Sequence, residues 1–411
     1  MRFLYTTGIW CYTLGVRLAA LFGHSKARLM TAGWRAWKKK EGTKEGDWVW
    51  FHAASLGEFE QARPVLEEYK RRHPVCRVLL TFFSPSGYEV RKNHPQADAI
   101  AYLPMDLPGN ARHLLDTYHP TLAFFVKYDF WFNYLGELRR RGIPTYLFSA
   151  IFRPGQYFFR PWGRWYLRQL KECYSHIFVQ NDASLQLLRH HGVGRCSRAG
   201  DTRFDRVHQI AVAAEGDATV EAFLGDHKGP VLVGGSTWPP DEALLHQLRD
   251  KRDELKVILA PHVISEEHLQ QIERLFPDSI RYSQLSHSNT QTLSHSATLI
   301  IDNIGLLSKL YRYATVAYIG GGFGAGIHNL LEAVTFGKPV LFGPNYGKFQ
   351  EAHDLLACGG GFTHNDVDTL KHHLQVLLTD SDAYRHASQA CIDYMTANLG
   401  STDIILNTLE N

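Results

Sequence analysis

The chain has 411 residues, 45% apolar and 21% charged, enough for two or three folded domains and too apolar for a largely disordered protein. A net charge of +3 excludes a protein built on nucleic-acid electrostatics, so nucleic acid is not an expected partner. The six cysteines are scattered with no CxxC, and the 22 histidines form no HExxH; free buried thiols of a reducing compartment are expected, and no metal.

Residues 1–23 are mostly apolar but are interrupted by Arg2, Thr6, Thr7, Thr13 and Arg17. A spanning helix needs about 20 predominantly apolar residues, and a broken apolar region argues against a cleaved signal peptide. A basic stretch follows, Lys26, Arg28, Arg35, Lys38, Lys39 and Lys40, interleaved with Trp34 and Trp37. Basic residues attract anionic lipid and tryptophan favours the interface, so residues 1–40 read as an anchor at a membrane surface, with the body on the cytoplasmic side. The alternative is a helical lid over the domain core.

From Asp47 onward, short apolar runs alternate with helical patterns. Runs begin at Trp48, Arg77, Ala99, Leu122, Thr145 and His176, with helices expected at 109–118, 130–142 and 182–191. Near-continuous apolar runs are those of strands buried on both faces, and their alternation with helices predicts a parallel sheet. The pattern weakens over 205–228 into a linker or peripheral helix. It restarts at Pro230, Leu255, Ala297, Val316 and Pro339, and the tail from about 366 reads as helices. The expected architecture is α/β, two Rossmann-like doubly wound domains facing a central cleft. The expected boundaries are an anchor over 1–40, domains over 41–210 and 211–385, and carboxyl-terminal helices over 386–411. Open α/β sheets bind ligands beyond the carboxyl ends of their strands.

The first strand runs into His52-Ala-Ala-Ser55-Leu-Gly57-Glu58. Glu58 falls where strand meets helix, and a carboxylate there can take a proton from an incoming hydroxyl. Ser55-x-x-Glu58 is equally a capping box, which needs no catalysis. Pro64 is expected to kink the following helix or delay its start. In the second half, Gly320-Gly-Gly-Phe-Gly-Ala-Gly326 precedes Ile327-His328-Asn329-Leu330-Leu331-Glu332. A glycine-rich turn before a helix lets N–H groups approach a phosphate; a tight turn with Asn329 capping a helix is the alternative. Ser236, Pro261-His262 and Asp302-Asn-Ile304-Gly305-Leu306 follow the neighbouring strands. Arg203, in Gly200-Asp-Thr-Arg-Phe-Asp205, can stabilise a leaving phosphate or only pair with Asp205.

Together these segments resemble the 3-deoxy-D-manno-octulosonic acid (Kdo) transferases of lipopolysaccharide assembly. The pieces that carry the resemblance are His52-Ala-Ala-Ser-Leu-Gly-Glu58, Tyr128-Asp129-Phe-Trp131, Gly200-Asp-Thr-Arg-Phe-Asp205, Gly235-Ser236 with Asp241-Glu242, and His328-Asn329-Leu-Leu-Glu332. The resemblance implies a GT-B glycosyltransferase that moves Kdo from CMP-Kdo to a lipid A precursor (lipid IVA) at the cytoplasmic face of the inner membrane, with inversion and without a metal cofactor. It implies Glu58 as general base. It maps the cytidine-nucleotide contacts to Pro261 and His262, to Ile304, Gly305 and Leu306, and to Asn329, Leu330, Leu331 and Glu332.

The chain departs from the family's pattern at several positions. Pro-Arg-His is Pro261-His262 here, so an arginine contact is missing or supplied elsewhere. A family carboxylate is replaced by Lys127, which leaves Asp129 as the candidate substitute. The lysine of Lys-Phe-Asp is Arg203, which keeps charge but not geometry. Gly-Gly-His-Asn is Gly326-Ile-His-Asn, and Glu-Pro is Glu332-Ala333. Two other functions fit the pattern: a GT-B enzyme acting on a UDP-sugar as transferase or epimerase, and an inactive membrane-surface binding homologue.

Overall fold

The computed structural model describes residues 1–37, 46–249, 254–285 and 296–410; Lys38, Lys39 and Lys40 of the basic stretch lie outside them. The chain divides into two units, Met1–Arg206 with Leu399–Asn411, and Val207–Asn398. The boundary falls inside the helix Thr202–Ala213 rather than at 210/211, and the segment expected over 386–411 is split. The helix Ser381–Asn398 stays with the second unit, and Ser401–Glu410 returns to the first.

Unit 1 is a parallel sheet of β1 (Trp48–Ala53), β2 (Arg77–Phe82), β3 (Ala99–Tyr102), β4 (Pro120–Val126), β5 (Thr145–Ala150), β6 (His176–Val179) and β7 (Cys196–Arg198), ordered β3-β2-β1-β4-β5-β6-β7. Unit 2 repeats the plan with β8 (Val231–Thr237), β9 (Lys256–Pro261), β10 (Ser279–Arg281), β11 (Thr298–Ile300), β12 (Val316–Ile319), β13 (Val340–Phe342) and β14 (Gly361–Thr363), ordered β10-β11-β9-β8-β12-β13-β14. Every residue of β1 is buried, as a central strand covered by helices on both faces requires. The edge strands β7, β10 and β14, of sequence CSR, SIR and GFT, carry no apolar run to mark them. The weak stretch after 205 is helical, Thr202–Ala213 and Ala218–Leu224. In each sheet the strand order reverses direction between the first strand and its far neighbour, β1/β4 and β8/β12, and there the crevice for a ligand opens.

The amino terminus folds as α1 (Arg2–Leu21) and α2 (Ser25–Trp37) on unit 1. Among the described residues no helix is long and apolar enough to cross a membrane. Trp34 and Trp37, expected at a lipid interface, are core residues: Trp37 joins the main cluster of the unit, and Trp34 packs with Met30, Tyr102, Met105 and Leu107. The inner face of α1 is held by polar contacts. Tyr5 donates to Asp106 Oδ2 at 2.6 Å, and Arg2 and Thr6 meet Asn133. Asp106 also accepts from the Asn133 and Tyr134 N–H groups, and full burial pushes its carboxyl up to about 6. The outer face of α1 leaves Phe3, Leu4, Trp10, Leu14, Leu18 and Leu21 exposed. Four of the six cysteines are buried free thiols; Cys11 and Cys358 are exposed.

Candidate functional site

In unit 1 the crevice at β1/β4 is built from the end of β1 and the start of α3 (Leu56–Arg72). Ser55 adopts an extended backbone and caps the helix: its Oγ accepts from Glu58 N–H at 3.4 Å and donates to Glu58 Oε2 at 2.9 Å. Only the serine half of the capping box forms; the Glu58 carboxylate meets the Ser55 hydroxyl instead of its backbone N–H, and that contact orients it. Glu58 is half-buried, with access to solvent. Pro64 neither delays nor ends the helix, which runs unbroken past it to Arg72.

One turn on, Gln61 is buried and donates to Asp201 at 3.0 Å. Arg203 does not pair with Asp205. Its guanidinium and its N–H both bond Asp201, the guanidinium at 2.8 Å. Burial alone raises the Asp201 carboxyl; the Arg203 charge and the bonds from Arg203 and Gln61 outweigh it and hold the group below its ordinary value. Asp205 is instead spent on the carboxyl-terminal helix, accepting from Gly400 N–H, Thr402 N–H and Thr402 Oγ. The Arg203 side chain is 32% exposed, so a guanidinium oriented by a buried carboxylate reaches the surface on the unit that carries Glu58.

After β4 the chain turns sharply. Lys127 sits in the left-handed region at φ 60°, and its N–H bonds the Phe148 carbonyl. The strand ends at Val126, so Asp129 lies in the turn, not on the sheet. It is 5% exposed, and its Oδ2 lies 4.0 Å from His52 Nε2. Burial, and then the neighbouring Glu58 charge, raise its carboxyl well above the usual range. Asp129 is thus an interior group facing His52. A second left-handed residue, Ser149 at φ 51° in β5, bonds Thr202 Oγ at 3.0 Å. Nothing in the sequence marked Ser149, because strain at a non-glycine residue has no compositional signal.

In unit 2 the crevice at β8/β12 is lined by backbone brought unusually close. Ser236 forms a bulge between β8 and β9 at φ 52°. A Cβ on Gly235 would fall 1.8 Å from Tyr311 Oη, and one on Gly320 would fall 2.3 Å from the Ser236 carbonyl oxygen, so both positions require glycine. Asp241 ties the crevice together, accepting from Trp238 N–H, Gly321 N–H and Tyr318 Oη, each at 2.9 Å. Glu242 accepts from Thr237 Oγ and contacts His268 Nε2, each at 3.0 Å.

The expected nucleotide contacts are distributed unevenly. His262, just after β9, stacks on Trp238 at 4.7 Å and on His328 at 4.4 Å, and Trp238 Nε1 donates to His328 Nε2 at 3.2 Å, so those two rings lie side by side against His262. This three-ring cluster joins the ends of β8 and β9 to the glycine-rich loop. Trp238 went unmarked in the sequence because its partners are distant along the chain. Asn329 Nδ2 donates to Glu332 Oε1 at 2.9 Å, and Asn329 Oδ1 accepts from Leu331 N–H at 3.2 Å. Leu330 and Leu331 are fully buried core side chains, so only their backbone can meet a ligand. Ile304 is 94% exposed, Gly305 has φ 94°, and Leu306 precedes the turn whose Leu307 closes over Gly235. Pro261 is buried in β9.

The helix expected after the glycine-rich loop is a single turn, Leu331–Val334. The N–H groups of Gly321, Gly324, Gly326 and His328 bond within the protein. The loop is therefore shaped mainly by its own bonds, and a long helix dipole does not contribute. Among the described residues no three His, Cys, Asp or Glu side chains are grouped to hold a metal.

Both units are similar to known proteins. The 3-deoxy-D-manno-octulosonic-acid transferase (kdotransferase) family model matches residues 24–206. A 3-deoxy-D-manno-octulosonic acid transferase of Bordetella pertussis is 27% identical over 88% of this chain and 87% of its own length. That of Chlamydophila psittaci is 28% identical over 79% and 76%. Among solved structures, UDP-GlcNAc 2-epimerase from Neisseria meningitidis superposes with a TM-score of 0.62 at 16% identity, covering 89% of this chain and all of that one. At that identity the likeness is one of fold, two doubly wound α/β domains of the GT-B type. With the family's domain matched over residues 24–206 and relatives of the same name along most of its length, the chain is similar to the Kdo transferases.

Proposed function

We propose that this protein is an inverting Kdo transferase that moves Kdo from CMP-Kdo to a lipid A precursor, with Glu58 as general base and unit 2 as the nucleotide-binding half. Similarity to the Kdo transferases supports Kdo transfer in lipopolysaccharide synthesis. The observation that carries the rest is the setting of Glu58. Its carboxylate is oriented by Ser55 at the first turn of α3 and remains open to solvent at the point where the strand order of the sheet reverses. A sugar hydroxyl is a weak nucleophile, and a positioned carboxylate accepts its proton as the bond to the anomeric carbon forms. The opposite-face attack inverts that carbon, and the CMP phosphate departs with the bonding pair. Its charge is met by a cation such as Arg203, whose guanidinium Asp201 fixes.

In unit 2 the cluster of Trp238, His262 and His328 offers a ring face to a cytosine base, and Asn329 with Glu332 offers polar groups to a ribose diol. The exposed apolar face of α1, flanked by Arg17, Lys26, Arg28 and Arg35, suits a peripheral seat on an anionic membrane, where a lipid acceptor resides.

Incubation with a CMP-Kdo generating system and a defined lipid A precursor, followed by mass analysis of the product, tests this reading. Wild type yields the Kdo adduct. Glu58→Gln keeps the Ser55 contact and the fold but loses about 10²-fold or more in turnover. A variant that keeps most of its turnover removes the base assignment. Protection from heat by UDP rather than CMP moves the protein to the UDP-sugar enzymes.

A further inference from the structure

His52 and Asp129 meet in the interior of unit 1, between the end of β1 and the turn after β4. The His52 side chain is fully buried, and that of Asp129 is 6% exposed. His52 Nδ1 lies 3.1 Å from the Thr81 carbonyl oxygen and 2.9 Å from Thr81 Oγ. A carbonyl only accepts, so Nδ1 carries the ring proton and Nε2 presents a lone pair. Nε2 has no hydrogen-bond partner, and neither has Asp129 Oδ2, 4.0 Å away. That separation exceeds a hydrogen bond, so a bond between them requires the two side chains to move together. Two buried polar atoms left facing each other are costly unless a proton joins them.

We propose that Asp129 is held as a neutral carboxylic acid donating to His52 Nε2, and that this pair positions the turn after β4 against β1 while keeping a second negative charge away from Glu58. The same proton placed on His52 makes a carboxylate and an imidazolium, two ions out of water, whose desolvation offsets their attraction. Burial works against both ions: it raises the Asp129 carboxyl, with the Glu58 charge adding to the effect, and pulls the His52 imidazole down to about 3. Trp131 Nε1, donating to Asp129 Oδ1 at 3.4 Å, and nearby backbone N–H groups favour the ion, but burial outweighs them. The other titratable neighbours do not reverse this. Tyr174 spends its phenol on the Asp129 carbonyl oxygen at 2.8 Å, and the Lys127 ammonium lies over the Tyr128 ring. Among the described residues no Lys or Arg nitrogen comes within 4.0 Å of the Asp129 carboxyl. Asp129 and His52 are positioning residues, acting through the turn and through Glu58, and the inference rests on the reading of Glu58 as base.

Infrared difference spectra of wild type against Asp129→Asn at neutral pH test the pair directly. A carbonyl stretch of a protonated carboxylic acid, absent from the variant, is expected; carboxylate bands in its place overturn the proposal. Asp129→Asn can still donate to Nε2 through its amide and is expected to keep Kdo transfer within about tenfold of wild type, whereas Asp129→Leu, which orphans Nε2, loses about 100-fold or more. An Asn variant as inactive as the Leu variant also overturns it. If the Leu variant does not fold, the spectrum and the Asn variant decide. The spectrum needs no turnover, so it stands apart from the base assignment: a Glu58→Gln enzyme that still transfers Kdo removes the base and leaves the acid band to be judged on its own.

Discussion

The attachment of the carboxyl-terminal helix to unit 1 gives a prediction whose size follows from the contacts. Asp205 is 8% exposed and accepts three bonds from the start of that helix, Gly400 N–H at 2.8 Å, Thr402 N–H at 2.7 Å and Thr402 Oγ at 2.7 Å. Bonds to a buried carboxylate contribute about 1.5–3 kcal/mol each, but they share one group whose desolvation cost is regained on truncation, so Asp205→Ala is expected to cost about 3 kcal/mol. At about 2–4 °C per kcal/mol for a unit of this size, the unfolding midpoint of unit 1 falls by about 6–12 °C. The same helix is also clasped by Arg72, which bonds Asp403 and Asn407 at the surface. Exposed ion pairs contribute little, so Arg72→Ala costs less than about 1 kcal/mol. Ile405 and Leu406 are buried in the unit 1 core, so a released helix exposes them and the tail becomes open to carboxypeptidase. Scanning calorimetry with limited proteolysis measures both effects. A midpoint within about 2 °C of wild type and an equally resistant tail refute the argument.

Two further outcomes are expected. His364 is 1% exposed with both ring nitrogens unpartnered, and burial holds its imidazole near 4 against an ordinary 6.5. Its folded value is depressed, so the unfolded chain takes up the proton first: stability is whole above about pH 6.5 and falls by up to about 3 kcal/mol as pH drops towards 4. His364→Leu flattens that part of the stability curve in denaturant titrations, and an unchanged slope between wild type and variant contradicts the assignment. On α1, Leu14 and Leu18 are 59% and 45% exposed on the apolar face. Leu14→Asp with Leu18→Asp lowers co-sedimentation with anionic vesicles by about tenfold or more while Tyr5 still anchors the helix, and unchanged sedimentation removes the membrane seat.

Much of the plan was legible along the chain. Runs such as Trp48–Ala53 and Val231–Thr237 are apolar because central parallel strands are covered on both faces, and that pattern is local. The cap at Ser55 and Glu58 was legible for the same reason, since its bonds span three residues. The motif order that makes the chain resemble the Kdo transferases was likewise present in the sequence. Tertiary structure decided the partners of residues whose neighbours are far away. Arg203 has an aspartate two residues on either side, and only folding chose Asp201, because Asp205 is drawn to a helix nearly 200 residues later. Trp34 and Trp37 carry the composition of a lipid interface, yet packing against the core of unit 1 buries them, and α1 keeps an apolar outer face. Asp129 and His52 lie in separate motifs, and their meeting depends on β1 and β4 being neighbours at the reversal of strand order. Sequence thus determined what repeats at short range along the chain; long-range pairing, burial and the charge a buried group can hold were set by the fold, because they depend on which surfaces lose water together.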